Sequence, residues 1–321
     1  MCLVLKGKYG FNMTNESLGF RRATPYAILV LTMGFWALNN IVQKIAVGAM
    51  PPTALAFWSW GLGLAILTPF ALPKLRARWD LVAKHWLKMV CIGVLGINFF
   101  YHLFLNSLTY TTALNATLVL SSMPIAIILL SWMIFRDPMS WRVAFGTCVG
   151  LVGVVAVIVQ GDLAVLLSLG VNWGDILALA AVVSWGLYTV FLRKVPEGLD
   201  PLAYLWVFAI GGTLINGIIY VSEVFSPIAF ELTWEGAGAI GYAAVFPLVL
   251  AFVLYNAGVR ALGASAAGQF FYLLPIFAAF LAVFVLGEKF ELYHLLGLLI
   301  ILVGLFLATA PSDVFKRIFK S

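Results

Sequence analysis

Apolar stretches of about 20 residues, the length that crosses the hydrocarbon core of a bilayer as an α-helix, recur along the whole chain. Polar or turn-forming residues separate them, for example Pro51-Pro52, Asp137-Pro138 and Gly287-Glu288. The pattern predicts an all-α membrane protein with ten transmembrane helices. We place them at 26–47, 53–71, 87–108, 113–134, 140–159, 174–193, 202–221, 237–258, 264–286 and 292–310.

The second half of this pattern repeats the first. A shift of 149 residues places Trp36 on Trp185 and Pro52 on Pro201. A shift of 151 places Ala113 on Ala264, Pro124 on Pro275, Asp137 on Glu288, Gly146 on Gly297 and Gly153 on Gly304. We therefore expect two five-helix repeats, residues 25–160 and 174–310, joined by a linker at 161–173 and flanked by cytoplasmic segments at 1–24 and 311–321.

Composition supports the membrane assignment. Hydrophobic residues make up 63% of the 321 residues and charged residues only 10%, with a mean hydropathy of +1.05, whereas soluble domains are about a quarter charged. The net charge of +6 lies in short loops and forms no basic face, which excludes a nucleic-acid partner. The three cysteines have neither disulfide-framework nor zinc-site spacing. No metal or cofactor is indicated.

The distribution of positive charge predicts the orientation. With the N-terminus inside, 17 of the 19 Lys and Arg residues fall on the cytoplasmic side, and only Lys44 and Lys289 on the other. We expect both termini in the cytoplasm and the protein in the bacterial inner membrane. Because each repeat has five helices, the second enters the membrane from the opposite side, so the repeats are inverted. Inverted repeats of this kind are typical of secondary transporters that work by alternating access.

Several motifs show a family resemblance. They are Phe35-Trp36-Ala37-Leu38-Asn39 with Lys44, the stretch 111–124, Gly263-Ala264-Ser265-Ala266-Ala267, Pro275, Gly287-Glu288, Gly297 and Gly304. The chain resembles the drug/metabolite transporter superfamily, in particular its ten-helix EamA-type exporters, and among these the bacterial exporters of amino acids, including aromatic ones. It departs from them at Asp137, where the first repeat often has Glu, and at Trp58 and Trp60, where many relatives have Arg. The second departure disfavours an anionic substrate.

This resemblance implies a secondary transporter of small amphipathic metabolites, with amino acids foremost, acting as an exporter, facilitator or exchanger. Alternatives are an exporter of purines, drugs or other metabolites with proton coupling, a channel, or a non-transporting receptor. An enzyme is disfavoured, because no catalytic residues and no metal-ligand pair lie in the spans. We expect the lipid bilayer and a small-molecule substrate as the partners of a monomer.

Polar residues inside the spans are the candidates for the substrate pathway, since such groups avoid lipid. Asn98, His102 and Asn106 are spaced by four and form one polar stripe, while Asn39 and Gln43 share a helix face with Trp36. They either contact substrate or hold helices together by hydrogen bonds. The main candidates are Trp36, Asn39, Asn40, Gln43, Asn98, Tyr101, His102, Trp185, Tyr188, Tyr255 and Gln269. Further candidates are Ser121, Ser122, Asn216, Asn256 and Tyr272.

Trp36 and Trp185 lie near mid-span, whereas the other nine tryptophans lie near predicted span ends, as interfacial anchors do. The two either line the pathway or pack as helix contacts. Pro124 and Pro275 are repeat-equivalent and mid-span, and are candidates for hinges or for static kinks.

Charged groups restrict the coupling mechanism. No Asp or Glu lies in the middle of a span, which favours facilitated diffusion or exchange over strict ion coupling. His102 is the one mid-span histidine and either takes up a proton or makes a neutral helix contact. No mid-span pair of Lys or Arg is present to bind a phosphate. Gly146, Gly150 and Gly153 predict close helix packing within the bundle or, alternatively, a dimer seam.

Overall fold

The computed structural model describes residues 15–46, 50–111, 113–159, 162, 164, 172–224, 233–286 and 291–310. Side chains are not described at 15–23, 40–41, 43–46, 113–115, 223–224, 282 and 285–286. Two of the predicted pathway residues, Asn40 and Gln43, therefore have side chains outside the described part of the structure.

The described residues form ten helical spans, which we number in chain order. α1 is Asn15–Ala46, α2 is Pro52–Ala77, α3 is Trp79–Ser107, α4 comprises Ala113–Leu120 and Met123–Phe135, and α5 is Trp141–Ile158. α6 is Trp173–Lys194, α7 is Pro201–Val224, α8 is Trp234–Leu262, α9 comprises Ala264–Gly268, Gln269–Tyr272 and Leu273–Leu286, and α10 is Leu292–Thr309.

Over the described residues the protein is all-helical and contains no strand. Helices α2 to α10 are long and apolar enough to span a membrane, and α1 contains a shorter apolar stretch, Thr24–Asn39. The predicted architecture of ten helices is confirmed. α3 begins at Trp79, before the predicted start at residue 87, because Arg78 interrupts the backbone and the first turns of α3 are amphipathic around Lys84 and Lys88.

Local sequence fixes several helix starts. Ser140 and Thr233 each accept a hydrogen bond from a backbone N–H of the first turn, in α5 and α8 respectively. Asn172 and Asp175 form a reciprocal capping box at the start of α6. These side chains satisfy N–H groups that a helix leaves without intrahelical acceptors. Pro52 occupies the first turn of α2, where no N–H is needed.

The two repeats exchange their first helices. α1 packs mainly on α8 and α9 of the second repeat, and α6 packs mainly on α3 and α4 of the first. α2 contacts α8 just as α7 contacts α3, while α5 pairs with α10 and α2 with α7. Each of these contacts thus has a counterpart under exchange of the repeats. The interface between the repeats therefore runs through the centre of the bundle.

Glycines allow α5 and α10 to approach backbone to backbone. A Cβ on Gly146 would lie 2.6 Å from the Ala308 nitrogen, and one on Gly153 would lie 2.8 Å from the Ile301 nitrogen. Small residues commonly form such seams between membrane helices. The predicted close packing within the bundle is therefore present, since these glycines face α10 of the same chain.

Both repeats interrupt their helices at equivalent places. α3 contains a π-helical segment at Leu95–Phe99 and α8 contains one at Ala244–Leu250, which begins 149 residues later. α4 is broken at Ser121-Ser122, and α9 passes through a 3₁₀ segment that ends at Tyr272. Pro247 contributes to the first type of interruption, because it donates no hydrogen bond to the helix. π-segments free backbone carbonyls for other partners.

Candidate functional site

A cluster of aromatic rings fills the centre of the bundle, where α1, α6, α8 and α9 meet. The Trp36 and Trp185 rings lie 5.3 Å apart, centroid to centroid, and are nearly perpendicular. Each also contacts the same three rings at 5.3–5.9 Å. The cluster, which we call the central aromatic cluster, consists of Trp36, Trp185, Tyr188, Phe252, Tyr255 and Phe271.

The π-segments hold the first helix of the opposite repeat. The Trp36 indole N–H donates to the Pro247 carbonyl in α8 at 3.1 Å. The Ser184 hydroxyl, adjacent to Trp185 in α6, donates to the Leu95 carbonyl in α3 at 2.9 Å. The irregular backbone thus supplies an acceptor for the Trp36 indole and one for the hydroxyl adjacent to Trp185.

Polar groups at the edge of the central aromatic cluster are paired between α6 and α8. The Tyr188 hydroxyl donates to Asn256 Oδ1 at 2.6 Å, and the hydroxyls of Thr189 and Tyr255 share a hydrogen bond of 2.9 Å. All four side chains are buried. Among them, the amide nitrogen of Asn256 has no hydrogen-bond partner. A fully buried donor without a partner is unusual in a folded protein.

A second, polar site lies between α3 and α7. Asn98 Nδ2 donates to the Gly212 carbonyl at 3.0 Å and to Asn216 Oδ1 at 2.8 Å. His102 Nε2 lies 3.0 Å from the same Asn216 oxygen. The two asparagines are almost completely buried, and Asn98 Oδ1 and Asn216 Nδ2 have no partner. We call this group, Asn98, His102 and Asn216, the polar triad.

The Gly212 carbonyl determines the hydrogen positions in the polar triad. A carbonyl only accepts, so the Asn98 atom facing it is the NH₂ group. The same NH₂ group then requires an acceptor in Asn216, which is Oδ1. His102 Nε2 must therefore carry its hydrogen, and in the neutral ring Nδ1 is left as the basic nitrogen.

The other predicted polar residues of α3 lie apart from the polar triad. Asn106 is exposed and its amide bonds back to the His102 carbonyl, so it does not join the polar triad. Tyr101 points to α2 instead, where its hydroxyl donates to the Pro52 carbonyl at 3.3 Å. Only part of the stripe thus faces the interface between the repeats.

Two further predicted residues lie at buried positions. Gln269 is fully buried, with its nitrogen 3.5 Å from the Ser265 carbonyl and its oxygen without a partner. Asn39 Oδ1 is also buried without a partner. Neither residue has a hydrogen bond to the central aromatic cluster or to the polar triad among the bonds of the described residues.

Both predicted hinge prolines follow a helix interruption. Pro124 comes directly after the break at Ser121-Ser122, where the two hydroxyls bond back to carbonyls of the preceding turn. Pro275 comes after the 3₁₀ segment that ends at Tyr272. The prolines thus mark repeat-equivalent breaks in α4 and α9.

Sequence reasoning left some central residues out. Phe252 and Phe271 were not candidates, because their side chains carry no polar group, and Asn216 was only a further candidate that stood alone in its span. Trp60 was expected to anchor a span end, which is wrong, since its buried ring lies 5.3 Å from that of Phe252. The alignment of the repeats held one signal for this region. The shift of 149 places Asn98 on Pro247, and both residues lie in the π-helical segments.

Several described cations make contacts between helix ends at one end of the bundle. We call this end the cation-rich face, and its residues are Lys74, Arg78, Arg193 and Arg260. There Lys74 pairs with Asp200 at 2.8 Å, and Arg260 donates to the carbonyls of Pro196 and Leu199 at 3.0 Å. The loop between α6 and α7 is therefore held by α2 and α8. These contacts join helix ends that the predicted topology places on the same side.

Comparisons with known proteins agree with this geometry. The sequence model of the EamA-like transporter family matches residues 24–159 and 172–310, which include all but 12 residues between the first match and the last. The chain belongs to the EamA-like transporter family. The two matched stretches correspond to the two halves that exchange their first helices.

Relatives in this family are transporters without a stated substrate. The "Uncharacterized transporter YyaM" of Bacillus subtilis is 26% identical, over 90% of this chain and 95% of the relative. An "Uncharacterized transporter" of Archaeoglobus fulgidus is 26% identical, over 89% and 98%. A solved crystal structure with 20% identity, covering 94% of this chain and 99% of its own, superposes with a TM-score of 0.73 and supports the fold. The chain is thus an integral membrane protein whose relatives are named transporters.

Proposed function

We propose that this EamA-like protein moves small amphipathic metabolites, amino acids foremost and aromatic ones among them, by alternating access. The observation that carries the proposal is the central aromatic cluster, where Trp36 and Trp185 from opposite repeats meet at 5.3 Å. A site formed by equivalent residues of two inverted repeats changes its exposure when one repeat rocks against the other. Aromatic faces bind both apolar rings and ammonium groups.

Buried polar atoms without partners supply the other half of such a site. Asn98 Oδ1 is an acceptor for an ammonium group, and the amide nitrogens of Asn216 and Asn256 are donors for a carboxylate. Leaving them unpaired costs about 1–3 kcal/mol each. A zwitterionic substrate that reaches these atoms when the bundle opens would form hydrogen bonds with them and recover part of this free energy. The sequence offers no mid-span cation, which argues against phosphorylated substrates.

The polar triad favours one alternative, which is export coupled to protons. His102 is held through Nε2, so protonation would occur at Nδ1 and create a charge next to two buried amides. A charged group at this depth is costly unless a second charge enters or leaves with it. Under this alternative a cationic drug or a purine replaces the amino acid, and a pH gradient drives its flux.

The cation-rich face would be cytoplasmic under the positive-inside rule, with both termini on that side. The repeats would comprise residues 25–160 and 174–310, and the protein would act as a monomer in the inner membrane. We propose export, facilitated diffusion or exchange as the mode of transport.

Counterflow in liposomes tests the substrate. The purified protein is reconstituted, loaded with an unlabelled compound and exposed to labelled amino acids, purines or cationic drugs in turn, with and without a pH gradient. We expect saturable counterflow of an amino acid, reduced about tenfold or more in Trp185→Ala through lost ring contacts. Trp86→Ala is the control, since Trp86 is exposed on α3.

Other outcomes separate the alternatives. Flux of a purine or drug without amino-acid counterflow would replace the substrate and keep the carrier. Flux that needs a pH gradient and is lost in His102→Gln would favour proton coupling. Flux that does not saturate would indicate a channel, and no flux by folded protein would contradict the proposal.

A further inference from the structure

A compact charged cluster joins α4 to α6 at the cation-rich face. Arg193 Nη1 donates to Asp137 Oδ1 at 2.9 Å, and Arg193 Nη2 donates to the second carboxylate oxygen. The Ser131 hydroxyl donates to that second oxygen and accepts from Arg193 Nη2 at 3.2 Å. Both oxygens of the carboxylate are therefore engaged, which is the strongest geometry for an Arg–carboxylate pair.

The neighbouring residues orient this pair. Arg136 ends α4 in the left-handed conformation, with φ of 58°, which turns the chain so that Asp137 points back toward the helix. The Phe135 ring lies 4.2 Å from the Arg193 guanidinium carbon and 4.9 Å from Lys194 Nζ. These cation–π contacts add to the attraction between the two helix ends.

The helix that carries this pair is bounded at its other end by a break. Met123–Phe135 is a regular helix between Ser121-Ser122, with Pro124 in its first turn, and the charged cluster. Such a segment moves as one rigid element about its break once the far end is released. α4 belongs to the first repeat and α6 to the second, so the pair also bridges the two repeats.

The sequence repeats the same charge pattern on the opposite side of the membrane. The shift of 149 places Lys44 at the position of Arg193, and the shift of 151 relates Asp137 to Glu288. The side chains of Lys44 and Glu288 lie outside the described residues. A basic and an acidic residue at equivalent positions indicate that the pair belongs to the repeated architecture of the carrier.

We propose that Asp137, Arg193 and Ser131 form an ionic latch that holds the cation-rich half of α4 against α6 and opens when the carrier exposes its centre to that face. The proposal rests on the proposed alternating access. In the structure the latch is formed, and opening requires the carboxylate and guanidinium to separate. Lys74–Asp200 closes a different seam, between α2 and the start of α7.

Distances between spin labels test the latch directly. Cys2, Cys91 and Cys148 are replaced by Ser, and labels are attached at Met133→Cys in α4 and Glu197→Cys in the loop after α6, both exposed. Double electron–electron resonance in lipid nanodiscs then reports how often the two helix ends separate. We expect Asp137→Asn to increase the population with the longer distance about fivefold, the size of change expected for one partly exposed ion pair.

Further variants separate a latch from a general loss of structure. Arg193→Gln should match Asp137→Asn, and Arg193→Lys should give an intermediate increase, since it keeps the charge but not the bidentate geometry. Asp80→Asn is the control, because its pairing with Arg78 at 3.8 Å is exposed and bridges no repeats. Exchange of the two residues, Asp137→Arg with Arg193→Asp, should restore the short distance.

Unchanged distances in Asp137→Asn and Arg193→Gln would overturn the latch, and so would a failure of the exchanged pair to restore them. These distances are measured without substrate. They therefore stand even if counterflow shows that amino acids are not transported. Flux of another compound without amino-acid counterflow, together with intact latch behaviour, would contradict only the proposed substrate.

Discussion

The two π-helical segments occupy equivalent places in the repeats but have opposite chemistry. In α3 the segment Leu95–Phe99 carries Asn98, and His102 follows one turn later. A shift of 149 places Pro247 and Ala251 at these positions in α8. The first segment builds the buried polar triad, whereas the second faces the rings of the central aromatic cluster.

This difference shows how a duplicated fold makes two chemically different surfaces from one backbone pattern. Both segments keep the same backbone function, which is to offer a carbonyl to the first helix of the other repeat. Their side chains have diverged, so the segment in α3 carries a buried amide and the segment in α8 lies against aromatic rings. Under the proposed function, a substrate with a charged end and an apolar end would contact the two surfaces in one orientation.

The largest expected effect comes from a steric clash between the π-segment of α3 and Tyr188 of the central aromatic cluster. A Cβ on Gly96 would lie 2.6 Å from the Tyr188 ring. Gly96→Leu should therefore destabilise the fold by about 3 kcal/mol and abolish counterflow, as measured by thermal unfolding in detergent and by transport. Val245→Leu at the equivalent position of α8 is the control. Equal losses of stability and transport in both variants would contradict the difference between the two π-segments.

Removing one amide of the polar triad should have the next largest effect. Asn216→Leu leaves Asn98 and His102 without their shared acceptor, at a cost of about 1–3 kcal/mol. The double variant Asn98→Leu/Asn216→Leu should cost less than the sum of the single changes, because no orphaned amide remains between them. A thermal-unfolding double-mutant cycle measures this coupling. Additive losses would show that the amides act independently.

The hydrogen bonds to the two π-segments should be worth less. Trp36→Phe removes the donor to the Pro247 carbonyl, and Ser184→Ala removes the donor to the Leu95 carbonyl. Each should lower stability by about 1 kcal/mol, which thermal unfolding can resolve. Trp86→Phe, on the exposed face of α3, should have no effect. A loss of stability in only one of these two variants would show that only the corresponding π-segment depends on its hydrogen-bond donor.

The smallest effect concerns pH at the cation-rich face. The hydrogen bond from Arg193 lowers the pKa of Asp137 below its ordinary value of 3.8, with a further contribution from Ser131. A lowered folded-state pKa contributes stability that is present above the ordinary value and is lost as the pH falls through the lowered one. The difference in unfolding midpoint between wild type and Asp137→Asn should thus stay constant from pH 8 to 5 and shrink below pH 4.

The pairing of Arg193 with Asp137 allows one check of this prediction. In an Arg193→Gln background the pH dependence should move toward the ordinary value of the carboxyl. The same curve in both backgrounds would contradict the assignment of Arg193 as the cause.

Much of the fold followed from the sequence, because a bilayer restricts the choices. Segments of about 20 apolar residues must be helical, since backbone groups find no water in the hydrocarbon. The repeat shifts related Trp36 to Trp185 and Pro124 to Pro275, and the two prolines were predicted to kink their helices at equivalent places. The chain's membership of the EamA-like family confirms the predicted family resemblance. Amino-acid transport stays a prediction.

The candidate site was predicted less well from the sequence, because the polar face of one helix does not show which other helix packs against it. Asn98 and His102 were singled out by spacing, but Asn216, which joins them, lies 114 residues from His102. Asn106 belonged to the same stripe and is exposed. Trp60 and Trp58 are two residues apart, yet Trp60 is buried against Phe252 while Trp58 is exposed.

The sequence by itself determined the number of helices and their repetition in two halves, because hydrophobic length acts locally along the chain. The sidedness stays a prediction from loop charge. Only the tertiary structure decided that α1 and α6 exchange between the repeats, that Trp36 meets Trp185, and that Asp137 meets Arg193. These contacts depend on how helix faces pack across large separations in the chain. In lipid such packing is set by shape and hydrogen bonding, which a hydropathy pattern does not encode.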